Sequence, residues 1–299
     1  MPDGPVLGRE RIITLGAPAA ELVYALGLGD RIVGRGTWDL WPPALRNLPQ
    51  VGGAGSPNLE LILHLRPDLL VADSRFADLA GILDSHGIPA ILFSAYLTQE
   101  VIPAVNFLAE RLGREALGEE LAADLQALLD LTEERLRGIQ PEDRPAGLAL
   151  TGGKGEYFSF SGEDGWRFLN LAGARNLCAG MSRPFPVISR EWLALAKPDF
   201  ALISPYRADY AEEEREAALE KTWKDFTRNS PWPGPAAGGP RVIVLDDLLT
   251  FGPRSLAGTL YLAKALHPER FADLDAEKIH ADFLRKYFSI FQDGRHIHP

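Results

Sequence analysis

The sequence predicts an α/β protein made of two doubly wound α/β lobes with parallel sheets joined by one long α-helix, and three observations lead there. The stretch Glu60 to Ala72, ELILHLRPDLLVA, recurs without a gap as EWLALAKPDFALI from Glu191 to Ile203. Each copy opens near a carboxylate, runs through about two apolar turns, stops at a basic residue followed by Pro-Asp, and resumes as a short apolar run. Proline lacks an N–H and disfavours helix in the residue before it, so each copy reads as helix, stop, buried strand. Along both halves such short apolar runs alternate with helical stretches, the pattern of a parallel sheet covered on both faces. Between them, Glu115 to Arg137 carries Leu117, Leu121, Leu125, Leu128, Leu129 and Leu136 at helical spacing with no internal proline. About 23 residues at 1.5 Å each reach roughly 35 Å, the width of a small domain.

In order, Arg11 to Leu15 reads as a strand entering Gly16-Ala17-Pro18, where proline suits the first turn of a helix through Glu21 to Leu26. Gly27 and Gly29 end that helix, and Ile32-Val33-Gly34 starts a strand leading to the aromatic loop Thr37 to Pro43. A glycine-rich turn, Gly52 to Gly55, delivers Asn58 as N-cap of the helix carrying Glu60. A helix over Ala77 to His86, a strand over Ala90 to Phe93 and a helix to Leu112 complete the first half. The second half repeats the alternation with strands at Leu148 to Thr151 and Arg241 to Leu245, a charged helix from Ala211 to Phe226, and helices from Ser255 and Asp275. The lobes are expected at 9–114 and 139–295, with 115–138 as the connecting helix.

At 299 residues, 46% hydrophobic and 24% charged, the chain is globular and long enough for two lobes. A formal charge of -10 speaks against a nucleic-acid surface. Cys178, the single cysteine, excludes an internal disulfide and any multi-cysteine metal site. No apolar run reaches transmembrane length, and Met1 to Glu10 holds no signal-peptide core, leaving a cytosolic protein or one whose leader has been removed.

The ordered set RIITLGAPAAELVYALGLGDRIVG, VGG, PNLELILHLRPDLLVA, a single long helix, ISREWLALAKPDFALIS and GPRSLAGTLYLAKALHPERFADLD resembles the substrate-binding proteins of ABC importers for iron-siderophore, haem and corrinoid complexes. The resemblance covers nearly the whole chain. It implies a monomeric periplasmic or lipid-anchored protein, with its leader removed, that holds a small-molecule metal complex in a cleft between the lobes. A ferric siderophore comes first, with haem, a corrinoid or an oxyanion as alternatives; no resident cofactor and no catalysis are expected. It also implies docking to a membrane permease dimer through an acidic residue on each lobe, and Glu60 and Glu191 match those positions.

Ligands of open parallel sheets sit beyond the carboxyl ends of the strands. The side chains expected there are Trp38, Arg75, Tyr96, Lys154, Tyr157, Tyr206, Arg207 and Arg254. Arg and Lys suit an anionic complex, and the aromatic faces suit a planar or catecholate one. Direct metal binding is not expected: His64, His86, His267 and His280 fall in helical regions, and His296 and His298 read as a loose tail. An enzyme, such as a metal chelatase on a similar two-lobed fold, is the competing class, invited by the clusters Gly52 to Gly55 and Gly152 to Gly155. Neither cluster has the spacing of a phosphate-binding loop, and Cys178 has no histidine nearby in sequence.

Overall fold

The structure, a computed structural model, describes residues 11–53, 55–151, 157–159, 167–183, 185–205, 214–291 and 295–298. Its contacts divide the chain into two compact units, one reaching to Gln126 and also holding Phe283–Phe291, the other comprising Ala127–Asp282 and the carboxyl-terminal residues.

In the first unit β1 (Ile12–Leu15) and α1 (Ala17–Val23) lead to β2 (Ile32–Arg35) and a small hairpin of β3 (Gly52–Gly53) and β4 (Ser56–Pro57). Then come α2 (Leu59–His64), β5 (Leu69–Asp73), α3 (Ala77–Asp84), β6 (Ala90–Phe93) and α4 (Val101–Leu112). The sheet is parallel in the order β2-β1-β5-β6. Ile13, Leu15, Leu70 and Ala72 on its strands meet Ile62 of α2 and Leu79 and Leu83 of α3 in the core. The glycine cluster at residue 52 serves the hairpin: a β-carbon on Gly52 would lie 2.3 Å from the Ser56 carbonyl oxygen, and its φ of 95° belongs to glycine.

Helix α5 (Glu115–Leu136) is continuous and passes from one unit into the other. It tolerates Gly118 because Ala109 of α4 occupies the space a β-carbon would need, 2.2 Å away.

The second unit contains β7 (Ala146–Thr151), β8 (Tyr157–Ser159), α6 (Phe168–Leu171), β9 (Arg175–Asn176), β10 (Val187–Ile188), α7 (Arg190–Leu195) and β11 (Phe200–Ile203). After α8 (Arg215–Asn229), β12 (Arg241–Leu245) and α9 (Ser255–Leu266), the chain ends in α10 (Ala276–Phe288) and β13 (Ile297–His298). Parallel β7, β11 and β12 form the centre of a sheet ordered β10-β8-β7-β11-β12-β13, with β8, β10 and β13 antiparallel towards its edges. Gly258 lets α9 lie directly on the Leu249 carbonyl, 1.8 Å from where a β-carbon would stand.

The repeated segment does the same work in both units. Asp68 and Asp199 each pin the start of the neighbouring strand: the Asp68 carboxylate accepts from the Arg11 N–H at 3.2 Å, and the Asp199 carboxylate from the Ala146 N–H at 2.7 Å. Their own N–H groups return bonds to the Arg11 and Ala146 carbonyls. The helix ends are also closed, the Arg11 guanidinium donating to the Leu65 carbonyl and the Trp232 indole to the Leu193 carbonyl.

Two expectations are corrected. Residues 283–291, read as part of the second lobe, make their contacts in the first unit, because α10 presents aromatic rings there: Phe288 lies 4.4 Å from Trp41 and 5.9 Å from Tyr24, centroid to centroid. The tail is not loose, since β13 pairs with β12 and His296 is buried.

Candidate functional site

The carboxyl ends of β2, β5 and β6 gather the expected residues of the first unit. Trp38 follows β2 and remains 55% exposed. Arg75 stands in the turn after β5, where the Asp73 carboxylate caps the turn by accepting the Arg75 N–H at 3.0 Å and also takes the guanidinium Nε–H at 2.7 Å. That ion pair aims the guanidinium over the Tyr96 ring, 5.6 Å from its centroid, beyond the end of β6. Arg75 and Tyr96 thus present one cation–aromatic surface, and the positive charge already has a carboxylate beside it.

The loop carrying Trp38 is set by Asp39, which the motif reading did not single out. Its carboxylate is fully buried and accepts the Gly16 N–H at 3.1 Å and the Gly36 N–H at 3.0 Å, tying together the ends of β1 and β2. Gly16 is required here: its φ is 104°, and a β-carbon would lie 3.1 Å from that of Asp73. Burial pushes the Asp39 carboxyl up to about 7 against the opposing pull of those two N–H groups and of Arg35. Because the folded value lies above the unfolded one, the folded state binds the extra proton, and this contribution to stability is lost as pH rises through about 7. Thermal stability is expected to fall between about pH 5 and about pH 8 by an amount on the order of 2–3 kcal/mol from this group, and Asp39→Asn should flatten that slope whatever its constant offset. Equal slopes in melts of the two proteins would remove Asp39 as the source.

In the second unit, Lys154, Tyr206 and Arg207 lie outside the described residues, as do Gly152 to Gly155. Tyr157 opens β8, and its side chain is likewise outside them. Arg254 is 2% exposed at the start of α9. It belongs to a buried polar corner beyond the end of β12, where Asp246 Oδ2 lies 3.3 Å from His296 Nδ1 and 3.9 Å from the Arg215 guanidinium. His280 packs edge-on against His296 at 4.6 Å, and Tyr261 hydrogen-bonds Glu277 nearby. Burial pushes His280 well below the ordinary imidazole range, with His296 and Arg254 adding to the effect. Nothing local in sequence joins Asp246 to His296, so only the folded chain reveals this corner.

Among the described residues no group of three or more histidine, cysteine, aspartate or glutamate side chains is placed to hold a metal ion. Cys178 lies in the core of the second unit, its thiol pushed up by burial, which disfavours the nucleophilic thiolate. Glu60 and Glu191 both stand exposed at the second position of their helices, after Asn58 and Ser189, whose side chains accept the Leu61 N–H at 2.9 Å and the Trp192 N–H at 3.1 Å. The expected caps are therefore present, and backbone and Ser189 hydrogen bonds hold the Glu191 carboxyl below its usual range.

Two α/β units, each with an aromatic or polar cluster at its strand ends and sharing one long helix, define a solute-binding protein. A family model described as periplasmic binding protein matches residues 12–227, and the chain belongs to that family. It is 27% identical to the vitamin B12-binding protein of Photorhabdus laumondii over 80% of this chain and 86% of that one. It is 25% identical to the uncharacterized ABC transporter substrate-binding lipoprotein YvrC of Bacillus subtilis, over 88% and 82%. A solved periplasmic heme-binding protein from Pseudomonas aeruginosa superposes with a TM-score of 0.68 at 26% identity, covering 87% of this chain and 93% of that one. These relatives are substrate-binding proteins, and no helix among the described residues is long and apolar enough to cross a membrane.

Proposed function

We propose that this protein is the extracytoplasmic receptor of an ABC importer and captures a metal-bearing tetrapyrrole, haem or a corrinoid, rather than the ferric siderophore that the sequence placed first. The observation that carries this reading is exposed Trp38 beyond β2 together with the Arg75–Tyr96 pair beyond β5 and β6, with Arg75 already matched by Asp73. Among the described residues at these strand ends Arg75 is already matched, a poor fit to a strongly anionic ferric complex, whereas a broad flat ligand gains most from indole and phenol faces. The vitamin B12 and heme named for the relatives are of that kind. Release to the membrane importer is assigned to Glu60 and Glu191, one exposed carboxylate on each unit.

Titration of the purified protein with haemin, cobalamin and a ferric siderophore, followed by visible absorption and calorimetry, tests the reading. One tetrapyrrole should bind stoichiometrically without turnover, and Trp38→Ala should weaken it on the order of tenfold through lost stacking and apolar contact. Tight binding of the siderophore alone, or turnover of metal and tetrapyrrole, would reject it.

A further inference from the structure

At the opposite end of the second unit's sheet from its carboxyl strand ends, where β7 and β9 begin, is a half-open cavity of about 400 Å³ lined by Pro141, Arg144, Arg167, Asn170, Leu171, Ala174 and Arg175. Three arginines lining one cavity are unexpected in a chain of net charge -10. Among the described residues no carboxylate lines the cavity; Glu142 and Asp143 share the turn with Pro141 but are not among its walls. None of the three arginines takes part in an ion pair among the described residues. Arg144 Nε is buried with no hydrogen-bond partner, and Arg175 spends its Nε–H on the Arg144 carbonyl at 3.3 Å. Arginines that share a cavity wall repel one another unless a countercharge is supplied. An oxyanion supplies the missing countercharge, since several charged N–H groups can fork onto its oxygens.

We propose that this cavity is a second binding site, for a phosphate ester or diphosphate. Arg144, Arg167 and Arg175 hold the phosphoryl oxygens, and the Asn170 amide supplies a further donor. Pro141, Leu171 and Ala174 form an apolar wall against which a small organic body rests. The volume falls within the range of small-molecule sites and exceeds what one water-sized guest requires. Because the cavity lies away from the strand ends that carry the ligand residues, occupancy here is separate from capture of the tetrapyrrole.

The same chemistry occurs in a free diphosphate and in an anionic lipid headgroup, so the test has two arms. Calorimetry with inorganic pyrophosphate at constant ionic strength is run beside sedimentation with phosphatidic acid vesicles, each on wild type, Arg167→Ala and Arg144→Lys. Saturable pyrophosphate binding that weakens on the order of tenfold in Arg167→Ala assigns the site to a soluble anion. Binding confined to vesicles and weakened by the same substitution assigns it to the headgroup. Arg167 is exposed, so its replacement leaves the fold intact, and Arg144→Lys keeps the charge while losing the fork. Absence of binding in both arms, or binding that survives both substitutions, overturns the proposal. Haemin and cobalamin titrations of the same variants should match wild type, which separates failure here from failure of the receptor reading.

Discussion

Reversing both exposed carboxylates, Glu60→Arg with Glu191→Arg, is expected to abolish ligand-dependent transport while ligand affinity stays within about twofold of wild type. The two residues stand at the same place in a repeated helix-and-strand segment, one per unit, and neither is needed for its helix. Asn58 and Ser189 already cap the helices, and a solvent-exposed glutamate draws only a small, screened gain from a helix dipole at this position. Two-point attachment multiplies weak contacts through effective concentration, so each single reversal should impair transport and the double far more. Uptake measured in vesicles carrying the cognate importer, beside calorimetry of each variant, separates docking from capture. Normal transport by the double variant would reduce both residues to helix-end electrostatics.

Asp246→Ala is expected to destabilise the second unit by about 2–3 kcal/mol, because it removes one charged partner from a buried guanidinium. The Asp246 carboxylate faces Arg215 and His296, caps the following turn by accepting the Leu248 N–H at 3.1 Å, and is itself 1% exposed. Its loss leaves the buried Arg215 guanidinium with the Arg295 carbonyl but without that carboxylate, and a melting temperature lower by on the order of 10 °C should follow. Asp246→Asn, which keeps the cap but not the charge, should fall between the two proteins. Acid should act on the same corner: His280 is neutral in the fold, and an unfolded imidazole gains its proton as pH drops below about 6.5, so stability falls with pH there. A melting curve for Asp246→Ala that overlays wild type would show that the corner carries no such load.

The sequence by itself determined what is local or repeated. Helix α5 was legible from leucine spacing, the strands from apolar runs behind Pro-Asp, the caps from Asn58 and Ser189, and the strand-end positions of Trp38, Arg75 and Tyr96 from alternation, because each depends on backbone preference and burial period within a few turns. The Pro-Asp motif was visible as punctuation, yet the reciprocal bonds of Asp68 and Asp199 to neighbouring strands could be seen only once those strands were paired. Tertiary structure alone decided that Phe288 packs on Trp41 and Tyr24, that His296 reaches Asp246, that Asp39 bridges two strand ends, and that Arg144, Arg167 and Arg175 share a cavity. These are meetings of residues far apart in the chain, or polar groups whose meaning depends on how much water the fold removes around them. A buried carboxylate and a solvated one are written with the same letter, and only packing distinguishes them.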